Sequence, residues 1–388
     1  MVMGLSLKFT TQRYYRIVVG ILFFVQGLIF STWANRIPDI KHALGLTEAG
    51  LGGVLFLIPT GQLCAMALSG YLVGKFGSKK TLSFAALLYP TAMLSLGAVR
   101  EVWQLALGLF LFGMCANLTN ISINTQGVGV ERIYRRSIMA SFHGIWSLAG
   151  FTGGLISTLM VGNNVPPLEH FCIIYVLVLT IILILRSRIL PRDTARDANH
   201  TKRQVFSKPD KAIIILGTIV FGSMICEGTM FDWSGVYFQK IINPPKELVR
   251  LGYIAFMFTM AGGRFAADWM VTRFGITNIL RTAGITITVG MLIAVLFPYI
   301  LTATFGFLLV GIGTSSVVPL CYGIAGKSKT MHPGVAVASV ATIGFMGFLI
   351  GPPIIGFVAQ ASSLRWSFAL IAMFGLITTL MAARVKNI

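Results

Sequence analysis

Two carboxyl groups, Glu227 and Asp232, lie in a stretch of the sequence that is otherwise apolar. The chain has only 12 acidic residues among 388, so this placement needs a reason. Burial in a low-dielectric region favours the neutral, protonated form of a carboxyl over its charged form. A group that alternates between the two forms can carry a proton. Glu227 is therefore the first candidate for proton coupling, and a buried structural carboxyl is the alternative.

Two further residues are candidates for the same chemistry. Asp232 follows Glu227 by five positions, about 140° round a helix, so the two carboxyls do not share a face. Asp232 is a candidate for proton coupling or gating, and a solvated carboxylate or a pair with Arg36 are the alternatives. His143 is a candidate because imidazole titrates near neutral pH. A structural histidine with satisfied hydrogen bonds is the competing interpretation.

Arg264 and Asp268 are the other charged residues within an apolar stretch. They are four positions apart and so lie on one face of a helix, where they can neutralise each other. The alternative is that Arg264 tethers the loop that follows or reaches a cavity.

A stripe of amides indicates the kind of ligand. Steps of three and four residues place Asn117, Asn120 and Asn124 on one side of a helix. Amides offer paired donors and acceptors, which suit hydroxyl-rich ligands. The alternatives are amides that join helices and, for Trp33, an aromatic belt at the membrane interface. The predicted substrate-binding residues are Gln26, Trp33, Arg36, Asn117, Asn120, Asn124 and Trp146.

The composition assigns these residues to a membrane protein. The chain is 55% hydrophobic and only 11% charged, with a mean hydropathy of +0.81. A soluble domain carries about 25% charged residues. Apolar runs of about 20 residues predict twelve membrane spans, which lie near 14–35, 48–73, 81–99, 103–128, 138–161, 170–186, 211–238, 251–272, 279–297, 299–324, 333–358 and 365–383. Pro352 and Pro353 are expected to break or kink the eleventh span.

The net charge of +19 is explained by topology. Most of the 31 Lys and Arg residues fall in the termini and in alternate loops, as the positive-inside rule requires for two cytoplasmic termini. The expected partners of this basic surface are anionic lipid headgroups, and nucleic acid is excluded. The five cysteines form no metal-binding pattern and no phosphate-binding loop is present, so no metal and no cofactor is expected.

The chain also repeats itself. A polar, basic segment at 186–210 separates an N-terminal six-helix bundle, 1–185, from a C-terminal one, 211–388. "GYLVGKFGSKKTL" from Gly70 and "DWMVTRFGITNIL" from Asp268 are 198 positions apart. Lys75 then matches Arg273, and Gly77 matches Gly275. A repeat of six spans keeps its orientation and predicts two bundles about an axis along the membrane normal.

The first of these segments resembles the cytoplasmic loop motif of the major facilitator superfamily. Gly70, Lys75, Gly77 and Lys79 fit the motif, whereas Gly74 replaces its aspartate and Thr272 replaces it in the second copy. Strings such as "STWANRIPDI", "INTQGVGVE" and "EGTMFDW" resemble the YbjJ-like or MosC-like bacterial inner-membrane branch. The resemblance implies an all-α membrane protein of twelve transmembrane helices in two pseudo-symmetric six-helix bundles, with both termini cytoplasmic. It also implies a monomer, and conformational roles for Arg264, Asp268 and the matched loop residues.

These observations predict a secondary transporter that works by alternating access. The expected cargo is a small neutral solute such as a sugar, an inositol or an amino-polyol, moved together with protons across the inner membrane. One alternative is a proton/drug antiporter, although "SLAGFTGGLI" lacks the Gly-Pro signature usual in the fifth span of such exporters. Another is a membrane receptor or assembly protein that transports nothing. An enzyme is not expected, since no nucleophile, base and orienting group converge.

Overall fold

Most of the part of the chain that the structure describes is helical. The computed structural model describes residues 2–135, 138–191, 209–328 and 330–385, and it describes side chains from residue 12 onward with the exception of residue 268. No strand occurs within these ranges. Most of the predicted linker, residues 192–208, lies outside them.

The contacts of the chain divide it into two compact units. Unit 1 consists of Met1–Arg36 and Leu57–His200. Its helices are α1 (Val2–Ala34), α4 (Leu57–Phe76), α5 (Ser78–Gly97), α6 (Val102–Tyr134), α7 (Met139–Gly162) and α8 (Pro167–Leu185). α6 packs against α4 and α5, and α1 packs against α7. The core between α1, α6 and α7 contains Val19, Phe23, Ile123 and Phe142, all fully buried.

Unit 2 consists of Ile37–Phe56 and Thr201–Ile388. Its helices are α2 (Ile37–Ala43), α3 (Glu48–Leu55), α9 (Lys211–Tyr237), α10 (Leu251–Phe274), α11 (Ile276–Leu296), α12 (Ile300–Ala325), α13 (Pro333–Ala361) and α14 (Leu364–Ala382). α9 lies at its centre and packs against α13, α14 and α12. α13 runs without interruption through Pro352 and Pro353, so of the two predicted effects of these prolines a break is wrong.

Ten helical segments of the described chain are long and apolar enough to cross a membrane. Two further helices, α5 with 20 residues and α10 with 24, coincide with predicted spans but are not among the ten. A multi-pass helical membrane protein is therefore confirmed, and the number twelve and the side of the termini stay predictions.

The internal repeat has the same backbone in both units. Gly77, before α5, has φ 81° and ψ 155°, and Gly275, before α11, has φ 77° and ψ 152°. Each amide donates to the carbonyl four residues earlier, Val73 and Val271 respectively, at 2.9 Å. This conformation is open to glycine and strained for any residue with a Cβ. The matching glycines thus end one helix and start the next in the same way, 198 residues apart.

The chain enters unit 2 at Ile37 and returns to unit 1 at Leu57. Within unit 2, α3 packs against α13 at very short range. A Cβ on Gly52 would lie 2.6 Å from the Pro352 carbonyl oxygen and 3.1 Å from the Gly356 Cα. Only a residue without a side chain allows this approach. The packing of Ile37–Phe56 with the C-terminal helices was not expected from the sequence.

Candidate functional site

The centre of unit 2 contains an ion pair between two helices. Nη2 of Arg264, on α10, donates to Oε1 of Glu227, on α9, at 3.2 Å. Glu227 is only 5% exposed. The sequence analysis paired Arg264 with Asp268 on its own helix. The structure gives Arg264 an acid on the neighbouring helix. The predicted pair with Asp268 stays a prediction, because the side chain of Asp268 lies outside the described residues.

Two small residues bring the helices that carry this pair close to their neighbours. A Cβ on Gly228, next to Glu227, would lie 2.9 Å from the Phe348 ring, so α9 lies close against α13. A Cβ on Gly263, next to Arg264, would lie 2.3 Å from the Ser315 hydroxyl, so α10 lies close against α12. The two helices that carry the ion pair are thus tightly packed, α9 against α13 and α10 against α12.

The surroundings of Glu227 are mainly apolar. Cys226 and Met230, its neighbours on α9, are fully buried. Phe231 stacks on Phe348 with ring centroids 6.4 Å apart. Tyr322 of α12 lies near enough to Glu227 to interact with its charge. In such surroundings, removing one partner of an ion pair leaves an uncompensated charge, which is far more costly than removing both. The two side chains therefore act as one unit.

Asp232 is separate from this pair. It is half-buried, and its charge acts on Tyr253, whose buried hydroxyl has no hydrogen-bond partner among the described residues. The prediction that Glu227 and Asp232 do not form a carboxylate dyad agrees with this placement. A role of Asp232 in gating stays a prediction.

The predicted amide stripe of unit 1 lies on α6, and its members bond to each other. Nδ2 of Asn124 donates to the carbonyl oxygen of Asn120 at 2.8 Å and to its Oδ1 at 2.7 Å. Asn120 is exposed and Asn124 is half-buried. Oδ1 of Asn117 is buried without a hydrogen-bond partner in the described chain. Since the Asn120–Asn124 bonds stay within one helix, these two amides do not join helices.

His143 and Trp146 lie one turn apart on α7, beside aromatic residues of α1. His143 is exposed and meets the ring of Phe23 edge-on, with centroids 5.6 Å apart. Trp146 is half-buried, and its ring lies 5.9 Å from that of Phe30. α7 therefore presents a titratable ring and a flat aromatic ring on the same face.

Gln26 and Trp33 point into the interior of unit 1. Gln26 lines a small cavity of about 10 Å³ with Leu22, Tyr89 and Thr119, and its Oε1 has no partner among the described residues. Such a volume holds about one water molecule. Trp33 is 1% exposed, with its ring 6.4 Å from that of Phe112. Both are therefore placed as core residues, and their predicted contact with a solute stays untested.

Arg36 is buried at the end of α1 and contacts the start of α8. Its Nε donates to Nδ1 of His170 at 3.1 Å, and its Nη2 donates to the carbonyl oxygen of Val165 at 2.8 Å. Because Nδ1 accepts this bond, the proton of a neutral His170 is on Nε2. His170 was missed by the sequence analysis, because a lone histidine near the start of a span carries no pattern.

The loop-motif residues interact mainly with their own helices. Nζ of Lys75 donates to the Tyr71 hydroxyl at 2.9 Å. In the second copy, the guanidinium of Arg273 lies over the ring of Trp269, 5.7 Å from its centroid. Lys79 donates to the Ser187 carbonyl at 3.1 Å. A Cβ at Gly70 would meet no atom within 4 Å. Lys75 and Arg273 therefore contact aromatic side chains of their own helices, in loops where Gly74 and Thr272 replace the aspartate of the motif.

A second group of ion pairs in unit 2 was also missed. Arg250 donates to Asp39, and Glu48 pairs with both Lys41, at 3.4 Å, and Lys240. In the sequence, these basic residues indicated only the topology of the chain. Their acids are up to 211 positions away in the sequence, so no local pattern could reveal the pairing. The ion pairs fix α2 and α3 to the ends of α9 and α10.

Comparisons with known proteins agree with this architecture. The family model described as Major Facilitator Superfamily matches residues 19–329. The chain is 33% identical over 365 residues to an uncharacterized MFS-type transporter of Yersinia pestis, covering 93% of each chain. It is 29% identical over 361 residues to the membrane protein MosC of Rhizobium meliloti, covering 92% of this chain and 87% of MosC.

Among solved structures, the nucleoside transporter NupG is similar with a TM-score of 0.75, over 96% of this chain and 99% of that chain. The sequence identity is 12%, so this likeness concerns the fold alone. No group of three or more metal-ligating side chains occurs in the described part of the chain.

Proposed function

Because this chain belongs to the Major Facilitator Superfamily and is a multi-pass membrane transporter, we propose that it moves a small neutral solute across the bacterial inner membrane by proton-coupled alternating access. The observation that carries the proposal is the buried pair of Glu227 and Arg264. In this account Glu227 is the proton carrier, and Arg264 competes with the proton for its carboxylate.

The coupling follows from the cost of a buried charge. While Glu227 is ionised, the attraction to Arg264 connects α9 to α10. A proton that binds Glu227 removes the negative charge, and Arg264 then needs another acceptor or water. Loss of the attraction lets α9 and α10 move relative to each other, which changes the access to the site. Return of the ion pair follows when the proton leaves on the other side.

The solute class rests on unit 1. Of the candidates there, Arg36 is bonded to His170 and to the carbonyl of Val165. The candidates outside the core of unit 1 are the amides of Asn117, Asn120 and Asn124 and the rings of His143 and Trp146. None is a permanent charge. Amides and an aromatic face suit a ring or chain that carries hydroxyl groups, which supports a sugar, an inositol or an amino-polyol as cargo.

The connection Ile37–Phe56 supports the alternating-access part of the proposal. It is covalently continuous with α1 and α4 of unit 1, yet it packs within unit 2 through Gly52 and the ion pairs of Asp39 and Glu48. Polar pairs and a short helix contact can be released and re-formed far more easily than a large apolar core. The packing of α3 on α13 is accordingly the part of unit 2 that we expect to change during the transport cycle.

The test is uptake into proteoliposomes under an imposed pH gradient, with a panel of sugars, inositols and polyols. The wild-type protein is expected to accumulate at least one member of the panel only when the outside is more acidic. Glu227→Gln is expected to retain exchange of that solute and to lose accumulation. Glu169→Gln is the matched control, since Glu169 is exposed on unit 1 and is expected to behave as wild type.

Three results would contradict the proposal. Accumulation by Glu227→Gln at the wild-type level would exclude Glu227 as the proton carrier. Export of amphipathic drugs, with no panel member transported, would favour the antiporter. Absence of any flux, together with a protein that co-purifies, would favour a receptor.

A further inference from the structure

A groove on unit 1 combines two arginines with an apolar floor. It has a volume of about 660 Å³ and lies between the first part of α1, the end of α6 and α7. We call it the Arg13–Arg16 groove, and its main lining residues are Arg13, Arg16, Ile17, Ile21, Phe24 and Tyr134.

The mouth of the groove is positively charged. The guanidinium of Arg16 lies over the ring of Tyr134, 5.2 Å from its centroid, and Nη1 donates to the phenol oxygen at 3.5 Å. Arg13 lines the same groove and lies near enough to this oxygen for its charge to act on the phenol. A neutral phenol orients the Arg16 guanidinium without cancelling its charge. None of the described lining residues is acidic, and the carboxylate of Glu131 on α6 accepts from the amides of Ile138 and Met139.

The floor of the groove is apolar and open. Ile17 is 61% exposed and Ile21 is 36% exposed. With Arg13 and Phe24 they follow steps of three and four, so they form one stripe along α1. At 1.5 Å per residue the stripe runs for about 16 Å from the charged mouth. One side of α1 thus presents a cationic surface followed by an apolar surface. This arrangement matches an amphiphile with an anionic headgroup.

From this geometry we propose that the Arg13–Arg16 groove binds an anionic phospholipid. The headgroup phosphate bonds to the guanidiniums of Arg13 and Arg16, which are suited to bidentate contacts with phosphate oxygens. An acyl chain lies along Ile17, Ile21 and Phe24. This site is independent of Glu227 and of the solute, so it goes beyond the proposed function.

A similar groove in unit 2 supports the proposal. Lys211 is 198 positions after Arg13, the offset of the internal repeat. It lines a cavity of about 1060 Å³ at the start of α9, together with Lys327, Arg384 and apolar residues such as Ile215 and Leu216. Lys211 and Ile215 thus stand at the positions that match Arg13 and Ile17, whereas Ile214 stands at the position that matches Arg16. Asp210 lies in the second mouth and lowers its charge, so the groove of unit 1 is the stronger site.

The experiment is a lipid titration of the purified full-length protein in non-ionic detergent, followed by native mass spectrometry. The probes are phosphatidylglycerol, phosphatidylcholine and soluble glycerol phosphate. The wild-type protein is expected to retain phosphatidylglycerol in preference to phosphatidylcholine. Two basic residues near a headgroup predict that Arg13→Gln with Arg16→Gln weakens this binding roughly 10- to 30-fold.

Three further variants separate the alternatives. Arg13→Lys with Arg16→Lys keeps the charge and is expected to retain most of the binding. Ile17→Asn with Ile21→Asn keeps the arginines and is expected to weaken lipid binding, because the floor is then polar. Arg186→Gln with Arg188→Gln removes two exposed arginines outside the groove and is expected to bind as wild type.

The proposal would be overturned if the Arg13/Arg16 glutamine variant bound lipid with wild-type affinity. It would also be overturned if the Arg186/Arg188 variant lost as much affinity as the Arg13/Arg16 variant. Glycerol phosphate binding as tightly as phosphatidylglycerol would overturn it as well, since that result identifies a site for a soluble anion. Should the glutamine variant fail to give a monodisperse protein, the lysine and asparagine variants decide. Binding that is retained in the lysine variant and lost in the asparagine variant supports the lipid site. Any other combination of these two results contradicts it.

Discussion

The polar groups in the two units are satisfied in different ways. In unit 2, Glu227 and Arg264 are opposite charges on different helices, and each depends on the other. In unit 1, Asn120 and Asn124 are neutral amides that bond within α6. A charge held between helices makes helix position depend on protonation, whereas amides on one helix leave donors and acceptors for a ligand. The proposed function accordingly assigns the response to protons to unit 2 and the recognition of the solute to unit 1.

The largest expected effect concerns the charged pair. Glu227→Gln or Arg264→Gln alone is expected to lower the free energy of unfolding by about 3–5 kcal/mol, because one buried charge loses its partner. The double variant is expected to recover most of that loss. Chemical denaturation in detergent gives the free energies. Losses that simply add in the double variant would show that the two residues act independently.

The packing of α3 on α13 within unit 2 has the next largest expected effect. Gly52→Leu is expected to cost about 3 kcal/mol, because its side chain would meet the backbone of α13 where even a Cβ would lie 2.6 Å from the Pro352 oxygen. Gly53→Leu is the matched control, since a Cβ there has no neighbour within 4 Å. Thermal unfolding of the two variants compares them. Equal melting temperatures would mean that α3 does not pack on α13 as described.

A change in unit 1 is expected to affect recognition and leave coupling intact. Asn124→Ala removes the amide that bonds to Asn120, and loss of one hydrogen bond to the solute predicts a roughly tenfold higher KM. The number of protons moved per solute is expected to stay the same. Parallel measurement of uptake and proton flux checks both. An altered proton ratio with an unchanged KM would reverse the roles assigned to the two units.

The two copies of the repeated loop allow a comparison of the units at glycines that have the same backbone conformation. Gly77→Ala and Gly275→Ala are each expected to cost about 1–2 kcal/mol, because both glycines have a positive φ of similar size. Gly74→Ala is the control within α4, where a Cβ has open space. Unfolding measurements on all three variants make the comparison. A cost at only one of the two glycines would mean that the loops differ in solution.

The smallest effect is expected at the start of α9. Asp210 caps this helix, accepting from the Ile213 amide at 2.8 Å and from the Thr330 hydroxyl. The bond from Thr330, followed by those from backbone amides, holds the pKa of Asp210 below its usual value. The stabilisation is therefore complete above about pH 4 and is lost as the pH falls through the lowered pKa of the folded state.

Asp210→Ala is accordingly expected to cost about 1 kcal/mol near neutral pH, as for other helix caps. At a pH low enough to protonate the wild-type carboxyl, the difference between variant and wild type is expected to shrink. Thermal unfolding across this pH range gives the comparison. A difference that stays constant as the carboxyl protonates would exclude a contribution from its charge.

The fold could largely be predicted from the sequence because its signals are local. Apolar runs define the spans, and the repeat at an offset of 198 residues identifies two loops that share an unusual backbone. Family membership was also readable, from the motif that begins at Gly70. The passage of Ile37–Phe56 into unit 2 was not predictable, because the fit of Gly52 against α13 joins residues about 300 positions apart.

The candidate site was only partly predictable for the same reason. Glu227 and Arg264 were selected individually, since a charge in an apolar run stands out. Their partnership depends on how α9 packs against α10, and the sequence offered Asp268 as a nearer acid for Arg264. Gln26 and Trp33 share a face of α1, as expected, but helix periodicity does not say whether that face meets a ligand or the core of unit 1.

The central claim is that the Glu227 carboxyl changes protonation during transport. The most direct measurement is infrared difference spectroscopy on the protein in liposomes, recorded on addition of a transported solute. The account predicts a change in the carbonyl stretch of a protonated carboxyl that is absent in Glu227→Gln and present in Glu169→Gln. An identical band in all three proteins, or no carboxyl band in a wild-type protein that transports, would contradict it.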